Sequence, residues 1–347
     1  MQWSHTSCRC TVTARTVWRV DFVNACFFNR RILFVTGMVL IFCLLTACSK
    51  SPEKAPAERR LIVITTLFPL YDFAKQIGGE QADVTLLLPP GVEPHSFEPK
   101  PGDLMKLESA DLFIYTGGRM EPWAATVLSS LNAERLIVID ASAGLLAGDN
   151  KEPYILDKKG AGEKENKRYD RDIDPHVWLD FGNAQKMVRT IVRGFAMKDP
   201  AHKEYYTRNA QNYVDELARL DEEYKRVLAD CKQHVIIHGG HFAFNYLAKR
   251  YHLLYMSAYS GSPDAEPTAA KLIQLKEQIK KYGVHYIFYE ELITPRVAEI
   301  IANETGVSML KLNGAHNVTR EEMAKGVTFL GIMEQNLNNL KKGLECR

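Results

Sequence analysis

The sequence predicts an α/β protein of two lobes, each a parallel sheet flanked by helices, joined by one long linking helix. Three observations predict this. Short β-branched runs alternate with helical segments on both sides of the chain's middle. Between the halves, Pro200–Asp230 carries Tyr206, Ala210, Tyr213, Leu217, Leu220, Tyr224 and Val227 at three- and four-residue steps, a single unbroken helical period. The composition, 46% hydrophobic and 25% charged over 347 residues, supports two real cores.

The first lobe opens on the strand LIVITT, Leu61–Thr66, followed by the helix FPLYDFAKQIGG with its Gly-Gly stop. Strands are expected at Ala82–Leu88, Asp111–Tyr115 and Leu136–Asp140, and helices at Asp103–Ser109 and Glu121–Leu131. Gly148–Asp172 is charged and lacks apolar periodicity, so it reads as a solvated, mobile loop. Asn183–Lys198 and then Pro200–Asp230 are helical. About 30 residues of helix span about 45 Å, enough for a rigid strut between lobes. The second lobe repeats the alternation, with strands His234–Ile237, Leu253–Met256, Tyr286–Tyr289 and Ser308–Leu312. Its helices are His241–Tyr251, Thr268–Tyr282 and Thr294–Thr305, and a last helix, Arg320–Leu344, closes the chain.

The N-terminus reads as a targeting device. Arg30-Arg31 precede an apolar run, Ile32–Leu45, which is shorter than the roughly 20 residues a membrane span requires. Leu45-Thr46-Ala47 before Cys48 resembles a bacterial lipobox, which would make Cys48 the lipidated first residue. The Pro-, Ala- and charge-rich SKSPEKAPAERR then reads as a flexible tether. The expected organisation is a signal segment at 1–47, a tether at 48–60, an N-terminal lobe at 61–182, a helical segment at 183–232 and a C-terminal lobe at 233–347. Residues 1–47 carry five arginines against one aspartate, which leaves the remainder of the +2 chain slightly acidic. That balance offers nucleic acid no basic field. Cys231 and Cys346 are the two cysteines beyond Cys48, and spacing alone does not decide whether they pair.

Four histidines carry the chemistry. His95 lies in PPGVEPHSFEP past the strand Ala82–Leu88, and His176 lies in DIDPHVWLD before a short apolar run. His241 lies in VIIHGGHFAF, where Gly-Gly turns off a strand, and His316 lies in KLNGAHN past the last strand. In open parallel sheets, ligands bind beyond the carboxyl ends of strands. Two of these histidines fall in each lobe, so facing lobes would bring all four imidazoles into one cleft. Neutral imidazole suits zinc, copper and nickel. Four protein donors make the closed tetrahedral arrangement that leaves no position for an activated water, which argues for capture over catalysis.

From Leu61 to the C-terminus the chain resembles the solute-binding lipoproteins of bacterial zinc and manganese ABC importers, the cluster A-I family. The resemblance rests on PHSFEP at 94–99, DPHVWLD at 174–180, HFAFNYLAKRY at 241–251, AEPT at 265–268 and IFYE at 287–290. It implies His95, His176 and His241 as metal ligands. Family members usually offer Asp or Glu at the fourth position. This chain has Asn313 and His316 there, and we assign His316, with a water or Glu290 as rivals and Asn313 as a turn residue. Glu98, Asp174 and Glu290 are candidate hydrogen-bond acceptors behind the ligand rings. For Asp174, a turn cap before Pro175 is the alternative. His238 reads as a strand-end or supporting residue, and Trp178 as core.

The resemblance implies an extracytoplasmic, lipid-anchored monomer that captures Zn2+ between its lobes and delivers it to an ABC-type metal permease at the membrane. It is not expected to be an enzyme. Replacing oxygen donors by imidazole favours zinc over Mn2+. A manganese receptor of the same kind is the alternative, followed by a surface adhesin lipoprotein and a zinc hydrolase. The hydrolase would need an open coordination position and a general base, and the chain contains no His-Glu-x-x-His helix.

Overall fold

The structure, a computed structural model, describes residues 59–131, 134–145, 155–157, 174–259, 267–292 and 294–347. The signal segment, Cys48 and most of the tether lie outside them. Among the described residues, no helix is long and apolar enough to cross a membrane.

Two sheets form. The first is built from β1 (Leu61–Thr65), β2 (Ala82–Leu86), β3 (Leu112–Tyr115), β4 (Ile137–Asp140) and β5 (Ile155–Asp157), in the order β2-β1-β3-β4-β5. The first four run parallel, while β5 pairs antiparallel with β4 and forms the edge. This corrects one expectation, because β5 sits inside the charged stretch read as loop, and it adds an antiparallel edge strand to the otherwise parallel sheet. An Ile-Leu pair amid charged residues is too short to display strand alternation. Helices α1 (Phe68–Gly78), α2 (Pro101–Ser109) and α3 (Ala124–Ser130) connect these strands.

The second sheet is wholly parallel: β6 (Val235–His238), β7 (Leu254–Ser257), β8 (Tyr286–Tyr289) and β9 (Ser308–Lys311), in the order β7-β6-β8-β9. Its crossovers contain α6 (Asn245–Arg250), α7 (Ala269–Tyr282) and α8 (Arg296–Thr305). Between the sheets run α4 (Phe181–Lys198) and α5 (Lys203–Leu228), the latter 26 residues or about 39 Å long. The expected helix 200–230 thus begins with a separate 3-10 turn at Pro200–His202.

The closing helix is also broken, into α9 (Arg320–Ala324) and α10 (Phe329–Gly343). Gly326 takes φ +69°, and the Thr328 hydroxyl accepts the Gly331 N–H at 3.1 Å, capping a new helix.

Strand alternation divides the core. Val63, Leu112, Ile114, Ile137 and Ile139 of the first sheet face one large cluster, which Ile236, Phe288 and Leu310 of the second sheet also enter. Phe68 and Phe73 of α1, Phe181 and Phe195 of α4, Tyr206 and Tyr224 of α5, and Phe329 and Leu340 of α10 fill it. The alternate residues Ile64, Phe113 and Val138 face a second cluster, and Val235, Ile237 and Ile287 a third. Each sheet therefore has a private core on one face and shares a continuous core on the other. Buried Asp72 of α1 reinforces the shared layer, accepting the Tyr213 hydroxyl at 2.8 Å and the Phe329 N–H at 3.0 Å.

Candidate metal centre

Each of the four histidines is set by local chemistry. His95 follows β2 in a loop whose Gly91 takes φ +85°. Asp174 makes a tight turn around Pro175: its Oδ1 accepts the His176 N–H at 3.0 Å and lies 2.7 Å from His176 Nδ1. His176 then leads into the 3-10 turn Val177–Leu179.

His241 leaves β6 through Gly239 and Gly240, and close approach explains both glycines. A Cβ on Gly239 would lie 2.6 Å from Ala298 Cβ, and one on Gly240 would lie 2.4 Å from Glu290 Oε1. That closeness lets Glu290 bond His241 twice, through the backbone N–H at 3.2 Å and through Nδ1. The expected helix begins only at Asn245, so His241 sits in the preceding turn.

His316 follows β9. Asn313 Oδ1 accepts the Ala315 N–H at 2.8 Å, which makes Asn313 a turn residue, and Ala315 takes φ +57°. Glu291 holds the turn, with Oε1 3.0 Å from His316 Nδ1 and Oε2 accepting the Gly314 N–H at 2.7 Å. Trp178 Nε1 donates to the Gly314 carbonyl at 2.8 Å, joining the His176 segment to this turn.

These placements converge. One nitrogen from each of His95, His176, His241 and His316 lies within 4.8 Å of every other. His176 Nε2 is 3.3 Å from His95 Nε2 and 3.4 Å from His241 Nε2. A tetrahedron built on zinc–imidazole bonds of about 2.0–2.1 Å has edges of about 3.3–3.4 Å, so those spacings fit a four-coordinate ion. Three rings give Nδ1 to a carboxylate, which fixes the tautomer and turns Nε2 inward. Buried His316 Nε2 has no hydrogen-bond partner.

The electrostatics match a cation. Burial, then repulsion from His316 and His241, pushes His95 down to about 3. The same causes, with His95 added, push His176 well below its ordinary value. Both rings therefore keep their lone pairs at neutral pH. Burial would raise Glu290, but the bond from His241 and the neighbouring imidazoles hold it down to about 2. Glu291 is also lowered, burial being outweighed by its bond to His316. In return the His316 imidazole is raised, the Glu291 contact overcoming burial. Asp174, by contrast, is pushed up to about 7 by burial, against its bond from the His176 backbone.

Asp174 and Glu290 stand behind the His176 and His241 rings. Glu98 does not join them, because its side chain is exposed. Glu291 does, although the sequence reading missed it. The signal available was two consecutive carboxylates beyond a strand end. Strand order explains both, since β8 lies between β6 and β9 and its Glu290 and Glu291 serve the rings that follow those two neighbours. His238 stays in the core, its ring 5.0 Å from Phe244 and pushed down to about 4 by burial.

Two α/β sheets on a shared helical core, with a cluster of four imidazoles, three of them buried, at their carboxyl ends, define the class of two-lobed solute-binding proteins. The chain belongs to the family described as ZnuA, zinc-uptake complex component A, periplasmic, whose model matches residues 63–343. It is 37% identical over 308 residues to the high-affinity zinc uptake system protein ZnuA of Bacillus subtilis, covering 87% of this chain and 94% of that one. It is 35% identical over 310 residues to the zinc-binding lipoprotein AdcA of Streptococcus pneumoniae, covering 89% of this chain but spanning only 60% of that protein. The solved structure of the Zn(II)-bound ZnuA-like domain of that AdcA matches with a TM-score of 0.68 and 34% identity, over 82% of this chain and 99% of the domain.

Proposed function

We propose that this protein is an extracytoplasmic receptor that captures Zn2+ with His95, His176, His241 and His316 and hands it to an ABC-type metal permease. The observation that carries the reading is the pair of Nε2 spacings, 3.3 and 3.4 Å, at the edge length of a zinc tetrahedron. Uptake and zinc binding in the relatives' names support it. Nitrogen donors favour zinc over manganese. Four protein donors leave no coordination position for an activated water, which supports a receptor over a hydrolase. His95 and His176 come from the lobe at 61–182 and His241 and His316 from the lobe at 233–347, so the ion sits between them. The shared core and the strut within 183–232 favour modest closure. Lipidation at Cys48 would hold a monomeric receptor beside its permease and raise the effective concentration. Binding weakens in acid because protonated imidazoles are not ligands.

Elemental analysis of the purified protein and competition titration against a chromophoric chelator test this reading. Stoichiometric zinc is expected, as is a large affinity loss in each of His95→Ala, His176→Ala, His241→Ala and His316→Ala. Parent-like zinc binding in all four variants would end it.

A further inference from the structure

We propose that Asn317 is a positioning residue that sets zinc affinity by locking the His95 loop onto the loop that carries His316. The inference rests on the reading that His95 ligates the ion.

His95 differs from its three companions. It is partly exposed, whereas His176, His241 and His316 are buried. Among the described residues no carboxylate bonds its ring, whereas Asp174, Glu290 and Glu291 bond the other three. The position of its imidazole therefore depends on the loop that carries it. Within that loop the ties are local: Val92 N–H to the Pro89 carbonyl at 3.1 Å, Ser96 N–H to Glu93 at 3.1 Å, and Phe97 N–H to the Pro94 carbonyl at 3.3 Å.

Asn317 supplies the long-range tie. Its side chain is fully buried, and Nδ2 donates to the Pro89 carbonyl at 2.8 Å and to the Val92 carbonyl at 2.9 Å. Gly91 N–H returns a bond to the Val318 carbonyl at 2.8 Å. Asn317 Oδ1 is engaged on its own side, accepting the Val318 N–H at 2.8 Å. One amide thus couples a loop of the first sheet to a loop of the second, next in sequence to His316. It spends both donors on backbone carbonyls that precede His95. The His316 loop is itself rigid, held by Glu291, Trp178, and Asn336, whose amide bonds both backbone groups of Asn313. The flow of constraint therefore runs from the well-held His316 loop, through Asn317, to the less-held His95.

Asn317→Asp isolates the tie. It keeps the acceptor for Val318 and replaces both donors by an oxygen facing two carbonyls. Losing two hydrogen bonds of ordinary net strength predicts zinc binding weaker by about 10–100-fold. If Asn317 acts through His95, the same change made on a His95→Ala background costs little more, because residues in one network are not additive. Gly91→Ala perturbs the loop from its exposed side, where an added Cβ meets nothing within 4 Å but φ is +85°. It should weaken zinc binding in the parent and be silent on the His95→Ala background. It also keeps the test decisive should Asn317→Asp not fold. The cobalt-loaded Asn317→Asp protein should shift its visible ligand-field bands toward those of His95→Ala. Equal losses in both backgrounds, or none in either, overturn the inference while leaving the site standing. Parent-like binding by His95→Ala alone removes His95 from the ligand set and overturns the inference with it.

Discussion

Glu291 bonds His316 at Nδ1 and the Gly314 N–H two residues earlier, one carboxylate oxygen to each, at 3.0 and 2.7 Å. Both contacts need acceptors. A glutamine offers one acceptor and one donor, so Glu291→Gln must break one of them and also removes the charge behind the ring. The expected result is zinc affinity lower by about 10–100-fold in a folded protein, measured by chelator competition. Parent affinity would show that His316 is oriented by the turn alone.

Trp178 offers an optical readout. Its ring lies 5.4 Å from both His176 and His316, and its indole N–H is spent on the Gly314 carbonyl. Charge placed between those imidazoles should change its emission. Zinc titration is expected to alter tryptophan fluorescence in the parent, and Trp178→Phe should lose that change while still binding zinc. A full signal in the variant would assign the response to another tryptophan.

Away from the site, Arg250 bridges Asp221 of α5, at 2.7 and 2.5 Å, and Asp180, the residue that caps α4, at 2.8 Å. Burial would raise Asp221, but its bonds from Arg250, Lys225 and Tyr251 hold it below the ordinary carboxylate value. A lowered folded value stabilises the protein above the unfolded value, about 3.9, and that stabilisation is lost as pH falls through the folded one. Asp221→Asn should therefore cost about 1–3 kcal/mol at neutral pH. The gap to the parent should close in acid as the parent's own carboxyl protonates. Urea midpoints at neutral and acid pH measure this, and a gap independent of pH would mean the charge is not what matters.

What the sequence made legible followed from local pattern. The strands β1, β8 and β9 could be read because buried β-branched and aromatic runs end in turn residues. The four histidines could be grouped because each follows or adjoins such an end. The break in the last helix was not legible, because apolar spacing continues through Val327 and only the Thr328 cap with Gly326 betrays it. Glu291 was not legible either. Its role depends on β8 lying between β6 and β9, and strand order is a long-range property that no local window contains. Glu98 lies three residues from His95, but the loop carries its side chain out to solvent.

Cys231 and Cys346 form a disulfide, settling a pairing that spacing had left undecided. Beside it the chain's end pairs with the entry to β6: Gln233 N–H meets the Leu344 carbonyl at 2.9 Å, and Arg347 N–H meets the Asp230 carbonyl at 3.1 Å. The crosslink thus fastens the first and last residues of the second sheet's segment, closing a loop with a sequence separation of 115. Constraining so long a loop in the unfolded chain is worth about 2–5 kcal/mol. The bond lies at the amino end of β6, whereas His241 follows its carboxyl end. Stability and capture should therefore separate. Replacing both cysteines by serine, or reducing the bond, is expected to lower the denaturation midpoint and leave zinc affinity unchanged. A matching loss of affinity would mean that the imidazole cluster is held together from the far end of the sheet, through the shared core, and not by the carboxylates and loops that surround it.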